Sequence, residues 1–167
     1  MSEVFYYYGK NSSYVFEQFI RHFLISIYGV LFAALIAIPL GFFVARRKKL
    51  SRITISIANV MQTIPSLAML AILMFAIGTG PNTVVFAVFL YAILPILKNT
   101  VSGINSVTPE LIDAATGMGM TKKQLMTKVE LPLAISIIMG GIRNALVLAI
   151  GVTAVGTFIG AGGLGDI

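Results

Sequence analysis

The sequence predicts an all-helical, polytopic membrane protein, and three observations carry that prediction. First, 57% of the 167 residues are hydrophobic and 11% are charged, against roughly 25% charged in an ordinary soluble domain. Such a chain has little with which to cover a water-facing surface. Second, uncharged runs reach the length a spanning helix needs, about 20 residues for a hydrocarbon core about 30 Å thick. Third, the basic residues sit in short blocks beside those runs, as membrane topology demands. Strand-like alternation does not recur, and an open sheet could not satisfy its backbone in lipid. The length allows one domain.

The elements follow in chain order. Met1–Ser13 is aromatic and polar, unlike the basic start of a secretory signal, so the first apolar run reads as an anchor. Residues 1–20 form an N-terminal tail, and 21–167 form the membrane domain. Phe23–Ala45 is 23 residues without a charge and makes the first span. Ile53–Leu97 is 45 residues without a charge, too long for one helix. It breaks at Gly78-Thr79-Gly80-Pro81-Asn82, a cluster of turn formers, giving spans near Ile53–Ile77 and Thr83–Leu97. Ile135–Ile159 supplies a fourth span, interrupted only by Arg143. The chain stops after the glycine-rich 160–165 stretch, and a further helix is expected to follow.

Orientation comes from the Lys/Arg bias of short loops. Loop 46–52 holds Arg46, Arg47, Lys48, Lys49 and Arg52, and segment 98–132 holds Lys98, Lys122, Lys123 and Lys128. The 78–82 turn holds none, and the tail region only Lys10 and Arg21. Both basic segments therefore belong in the cytoplasm, with the N-terminus and the 78–82 turn outside.

Catalytic readings fail. The chain has one histidine, His22, and six carboxylates (Glu3, Glu17, Glu110, Asp113, Glu130 and Asp166), none paired inside a span and none at metal-ligand spacing. His22 reads as an interfacial residue. The Gly160–Gly165 stretch lacks the Gly-Lys-Ser/Thr ending of a phosphate loop. With no cysteine, thiolate chemistry is excluded. The net charge of +6 does not indicate nucleic acid, because the basic residues form no single stripe among aromatics.

Segment 98–132 is polar chain between two spans and reads as two short helices. Thr108 can cap the first, with Pro109 and Glu110 in its first turn, where proline is tolerated and negative charge is favoured. Gly117 and Gly119 end it. Thr121 opens the second, with Gln124 at capping-box spacing, and Pro132 marks entry to the last span. Ala114, Ala115, Gly117 and Gly119 form a patch with almost no side-chain bulk, flanked by Leu111, Ile112, Met118, Leu125 and Met126. Two readings are open: a docking knob for a close partner, or a solvated linker between spans.

The residues here resemble a known pattern. Asp113-Ala114-Ala115, three residues, Gly119, nine residues and Val129-Glu130-Leu131-Pro132 are similar to the EAA loop of ABC importer permeases, with Asp113 for Glu and Val129 for Ile as departures. The stretches 59–74 (NVMQTIPSLAMLAILM), 90–104 (LYAILPILKNTVSGI) and 156–167 (GTFIGAGGLGDI) look like the glycine betaine/carnitine/choline permeases of the osmoprotectant-uptake branch. The resemblance covers roughly residues 20–167. It implies the type I ABC importer transmembrane fold and one more helix after the Gly-Leu-Gly-Asp segment. The implied partners are a second permease subunit (identical or homologous), two ATPase subunits and an extracytoplasmic substrate-binding protein, in a bacterial cell membrane. ATP and Mg would be held by the ATPase partners, so this subunit would carry no cofactor and change no bond. Glu110, Asp113, Ala114, Ala115, Gly117, Gly119, Val129, Leu131 and Pro132 would then couple the permease to the ATPase.

Inside the spans, Asn59, Gln62, Thr63 and Ser66 gather in the second, with Gln62 and Ser66 four apart and so on one face. They read either as a pore-lining stripe or as polar glue between helices. In the fourth span, Gly156-x-x-x-Gly160 is a close-packing pattern. Arg143 lies one or two turns inside the cytoplasmic boundary and either snorkels or faces the bundle interior. A self-contained secondary transporter or channel is the rival reading, but such a carrier should keep an ionisable residue near the midplane, and Arg143 is the lone candidate.

Overall fold

The computed structural model describes residues 10–167 and, among them, contains helices and no strands. Among the described residues, the seven α-helices are α1 Ser12–Ala45, α2 Lys48–Thr63, α3 Ser66–Ile77, α4 Pro81–Asn105, α5 Pro109–Gly117, α6 Lys122–Leu125 and α7 Leu131–Val155. A π turn, Met126–Glu130, joins α6 to α7, and two short 3-10 turns follow α7. The tail expected over 1–20 divides: residues 1–9 lie outside the described residues, while 12–20 form the first turns of α1. At about 1.5 Å per residue, the 34 residues of α1 span about 51 Å, more than the bilayer core requires.

Helix α4 is the centre of the bundle, packed between α1 and α7. Its Val84, Ala87, Val88, Ile96 and Leu97 are fully buried. Lipid supplies no hydrophobic drive between helices, so close backbone approach must do the work, and small residues permit it. A Cβ at Gly41 would lie 2.6 Å from the Thr100 side chain, and one at Gly141 would lie 2.7 Å from Asn99 Cβ. Gly103 faces Ala134, and Gly156 faces Val84, in the same manner. A buried hydroxyl pair, Ser26 and Thr153 at 2.9 Å, adds a polar link between α1 and α7. The outward faces carry Leu31, Phe32, Leu35, Phe43 and Met139, as a lipid-facing surface should.

The second span, expected near Ile53–Ile77, is not one continuous helix. It is two helices bent by 94° at Ile64-Pro65. The residue before a proline is pushed toward extended backbone; Ile64 sits at φ −74°, ψ 126° and Pro65 at φ −58°, ψ 142°. Two extended residues in succession turn the chain. Among the described residues, three helices are individually long and apolar enough to cross a membrane, and a fourth span is reached if the bent pair is taken as one.

The 78–82 break is where turn chemistry placed it. Gly78 (φ 95°) and Gly80 (φ 109°) adopt backbone that disfavours other residues, and Thr83 donates to the Gly78 carbonyl at 2.6 Å. The Gly80 N–H donates to Ile159 O at 3.0 Å, tying this turn to the 3-10 turn that follows α7. The glycine-rich 160–165 stretch then folds back on the start of α1. Gly163 N–H donates to Gln18 Oε1 (2.6 Å), Leu164 N–H to His22 Nδ1 (3.2 Å) and Tyr14 to Asp166 (2.6 Å). His22 is therefore a buried anchor and not an interfacial side chain. The Gly156/Gly160 pattern also splits: Gly156 packs, whereas Gly160 (φ 77°) serves a left-handed turn with nothing near it.

These contacts sort the charges. The start of α1, the 78–82 turn and the C-terminal stretch share one end of the bundle; loop 46–52 and the 106–130 segment share the other, joined by the Arg46–Glu130 ion pair. The block Arg46, Arg47, Lys48, Lys49 and Arg52, together with Lys122, Lys123 and Lys128, thus lies at one basic end.

Candidate functional site

Two features stand apart from simple packing. The first is the elbow at Pro65. Pro95 lies inside α4 and has no N–H to offer the Tyr91 carbonyl four residues earlier. Gln62 Nε2 supplies the missing donor, 2.8 Å from Tyr91 O. Tyr91 in turn donates its hydroxyl to Ile64 O at 2.5 Å, at the break between α2 and α3. Each proline-disrupted helix thus satisfies a carbonyl of the other. Two cavities flank this lock. One, about 470 Å³, is bordered by Gln62, Pro65, Ser66, Tyr91, Val147 and Gly151. The other, about 350 Å³, is more polar and is bordered by Gln62, Lys98, Asn99, Ser102 and Asn144. Concave, partly apolar spaces with a few directed polar groups are where small solutes are held.

Of the residues expected here, Gln62 and Ser66 both border a cavity, but not because they are four apart on one helix face. The 94° bend lies between them, and they meet the same space from two helices. Asn59 is exposed and outside both cavities, and Thr63 turns its hydroxyl back to Val60 O at 2.6 Å. Arg143 is exposed, about 18 Å along α7 at about 1.5 Å per residue, one turn from Val147 on the cavity-facing side. Sequence reasoning missed Tyr91, Asn99 and Asn144. Pro95 was the available signal, since a proline inside a span calls for a donor from a neighbour.

The second feature is the hairpin at the basic end. The polar segment read as 98–132 is shorter than it looked. Residues 98–105 are the last turns of α4, and α6 runs through the π turn into α7, so a helical path continues from Lys122 to Ile159. Pro132 is tolerated within that path because it stands in the first turn of α7. The capping box forms: Gln124 N–H reaches Thr121 Oγ1 at 3.3 Å and Thr121 N–H reaches Gln124 Oε1 at 2.8 Å. Thr108 occupies the cap position of α5 without a side-chain bond to its first turn, which leaves Pro109 and Glu110 to shape it.

The small-residue patch is not one surface. Ala115 is buried, as are Val107 and Leu125, apart from the main core. Glu110, Asp113, Ala114 and Gly117 are exposed, and Met118 is 72% exposed. A Cβ on Gly117 or Gly119 would meet nothing within 4 Å. Gly119 at φ 81° turns the chain between α5 and α6, so its requirement is conformational. Val129 is half-buried, while Leu131 and Pro132 are exposed at the start of α7. Glu130, missed as a functional residue, is buried beneath the hairpin and paired with Arg46. No group of three or more histidine, aspartate or glutamate side chains is placed to hold a metal among the described residues.

Comparison with known proteins gives this geometry its context. Residues 37–167 match the family model described as "Binding-protein-dependent transport system inner membrane component". The chain belongs to that family. This inner membrane component is 62% identical over 161 residues to the carnitine transport permease protein OpuCD of Listeria monocytogenes, covering 96% of this chain and 72% of that protein. It is 56% identical to the glycine betaine/carnitine/choline transport system permease protein OpuCD of Bacillus subtilis, over 96% of this chain and 70% of that one. Among solved structures, it resembles a chain of the inward-facing MetNI methionine ABC transporter, with TM-score 0.77 and 25% identity over 92% of this chain and 78% of that chain. The inner membrane component thus has the all-helical transmembrane fold of an ABC importer permease, multi-pass in the membrane.

Proposed function

We propose that this chain is the membrane-spanning subunit of an ATP-driven importer that carries quaternary ammonium solutes such as carnitine, glycine betaine or choline into a bacterial cell. The names of its relatives support the solute class. The observation that carries the mechanism is the exposure of Asp113, Ala114 and Gly117 on α5, a short helix that stands at the basic end and lies in the chain between α4 and the long helical path through α7. In this reading, residues 21–167 are the permease domain, and the N-terminus and the 78–82 turn face outward. The basic end faces the cytoplasm by the positive-inside rule. There α5 seats in an ATPase subunit, so that Glu110, Asp113, Ala114 and Gly117 transmit motion to the bundle. Two ATPase subunits holding ATP and Mg, a second permease subunit and an external binding protein complete the assembly, and this subunit itself carries no cofactor. The elbow cavities, with Gln62, Ser66 and Asn144 on their walls, border the path of the solute.

The burial of Ala115 decides the test. Bulk at Ala115 overpacks the hairpin itself, and a side chain at Gly119 (φ 81°) strains the turn, so neither isolates docking. Ala114→Trp and Gly117→Leu add bulk where there is open space. Overpacking a tight contact costs about 1–3 kcal/mol, and each step of about 1.4 kcal/mol lowers ATPase docking about tenfold. In cells lacking other uptake systems, both variants should reach the membrane at normal levels yet import labelled carnitine at a tenth of the normal rate or less. Lys122→Gln should do little. Normal import by both bulky variants makes α5 a mere linker.

A further inference from the structure

A third concave surface lies outside the elbow and the docking face. Ile38, Pro39, Phe42 and Phe43 of α1 meet Met126, Thr127 and Leu131 of the π turn and α7 around a groove of about 520 Å³. Its walls are apolar. The single hydroxyl, Thr127, is taken up by the Lys123 carbonyl at 2.9 Å. Phe43, on its wall, is 59% exposed, so the groove is open to the outside of the bundle.

The chain that leaves its Phe43 edge is cationic. The Arg47 guanidinium lies 4.4 Å over the Phe43 ring, on the rim. Lys48, Lys49 and Arg52, all exposed, follow Arg47 in the chain, and Lys128 follows Thr127. Glu130 is the nearby carboxylate, and it is already paired with Arg46; Arg47, Lys48 and Lys49 have no carboxylate partner among the described residues. An apolar slot with Arg47 on its rim, and further uncompensated cations in the chain next to it, suits a molecule with a hydrocarbon tail and an anionic head. It does not suit a cationic solute, which the rim would repel.

We infer that this groove binds an anionic phospholipid, with an acyl chain between α1 and the π turn and the headgroup phosphate on Arg47, Lys48 and Lys49. The placement rests on the orientation proposed above, which puts the basic end at the cytoplasmic leaflet. There, anionic lipid and juxtamembrane Lys/Arg clusters attract one another. The bound chain packs against Met126 and Thr127, in the turn that joins the hairpin to α7. Lipid occupancy therefore bears on the element that α5 must move.

The test uses the whole transporter, purified in detergent and titrated with phosphatidylglycerol, phosphatidylcholine or inorganic phosphate, with retained lipid counted by mass spectrometry. The expected result is about one phosphatidylglycerol held per permease chain and no comparable retention of phosphatidylcholine. Phosphate alone should not displace it. At about fivefold per cation near a membrane surface, the triple variant Arg47→Gln/Lys48→Gln/Lys49→Gln should weaken binding about a hundredfold. Thr127→Trp fills the groove with every charge intact and should also abolish retention, whereas Lys122→Gln should not. Retention unchanged in both the triple variant and Thr127→Trp overturns the proposal. So does full displacement by phosphate, which would mean a simple anion site. Release of ATPase subunits from the triple variant with its lipid still bound overturns it as well, because these cations would then be a protein-docking surface. The measurement involves neither carnitine nor ATP, so its failure leaves the solute assignment standing, and the converse holds.

Discussion

The lock between the two proline-broken helices predicts a specific pattern of non-additivity. In Gln62→Leu the Tyr91 carbonyl loses the donor now 2.8 Å away, and Pro95 cannot replace it. Hydrogen bonds between membrane helices are worth about 0.6 kcal/mol on average and about 1.7 at most, because a loosened chain finds other partners. A carbonyl with no donor four residues on in its own helix has fewer alternatives, which puts this bond near the upper end, about 1.5 kcal/mol. Pro95→Ala restores that N–H. In the Pro95→Ala background, Gln62→Leu should therefore cost about 0.5 kcal/mol or less, giving a coupling of about 1 kcal/mol, above the scatter of about 0.3–0.5 for independent sites. The assay is the stability of the four purified variants in a double-mutant cycle. Stability is the right readout because Gln62 also borders both cavities, and a change in transport would mix the two roles. If Gln62→Leu costs the same with proline or alanine at position 95, the amide is not serving the carbonyl that Pro95 leaves open, and the account of the elbow is wrong.

Topology is checked by single cysteines in this cysteine-free chain: a membrane-impermeant thiol reagent on intact cells should label position 82 and should leave positions 48 and 123 unlabelled until the cells are opened. Packing is checked by paired glycines. Gly41→Ala places a Cβ 2.6 Å from Thr100 Cγ2 and should destabilise by about 1–3 kcal/mol, whereas Gly140→Ala meets nothing and should be neutral or stabilising by the helix preference for alanine; equal effects in a thermal-stability assay would discount the close approach of α1 and α4.

The sequence by itself determined the fold class, the number of hydrophobic segments and the separation of charge between the two ends. These are properties of composition and local order: a long uncharged run must become a helix in lipid, and glycine and proline turn the chain wherever they fall. The capping box at Thr121 and the 78–82 break were legible for the same reason, since both depend on residues within a few positions of one another. Tertiary structure alone decided the rest. The bend at Ile64-Pro65 was signalled locally, but its 94° angle and the Tyr91 and Gln62 bonds that stabilise it join positions 27 and 29 apart. The burial of Ala115, the anchoring of the glycine-rich stretch by Gln18 and His22, and the Arg46–Glu130 pair likewise depend on how distant segments meet. A pattern within one helix states which residues share a face, but which neighbour covers that face is set only when α1, α4 and α7 pack together.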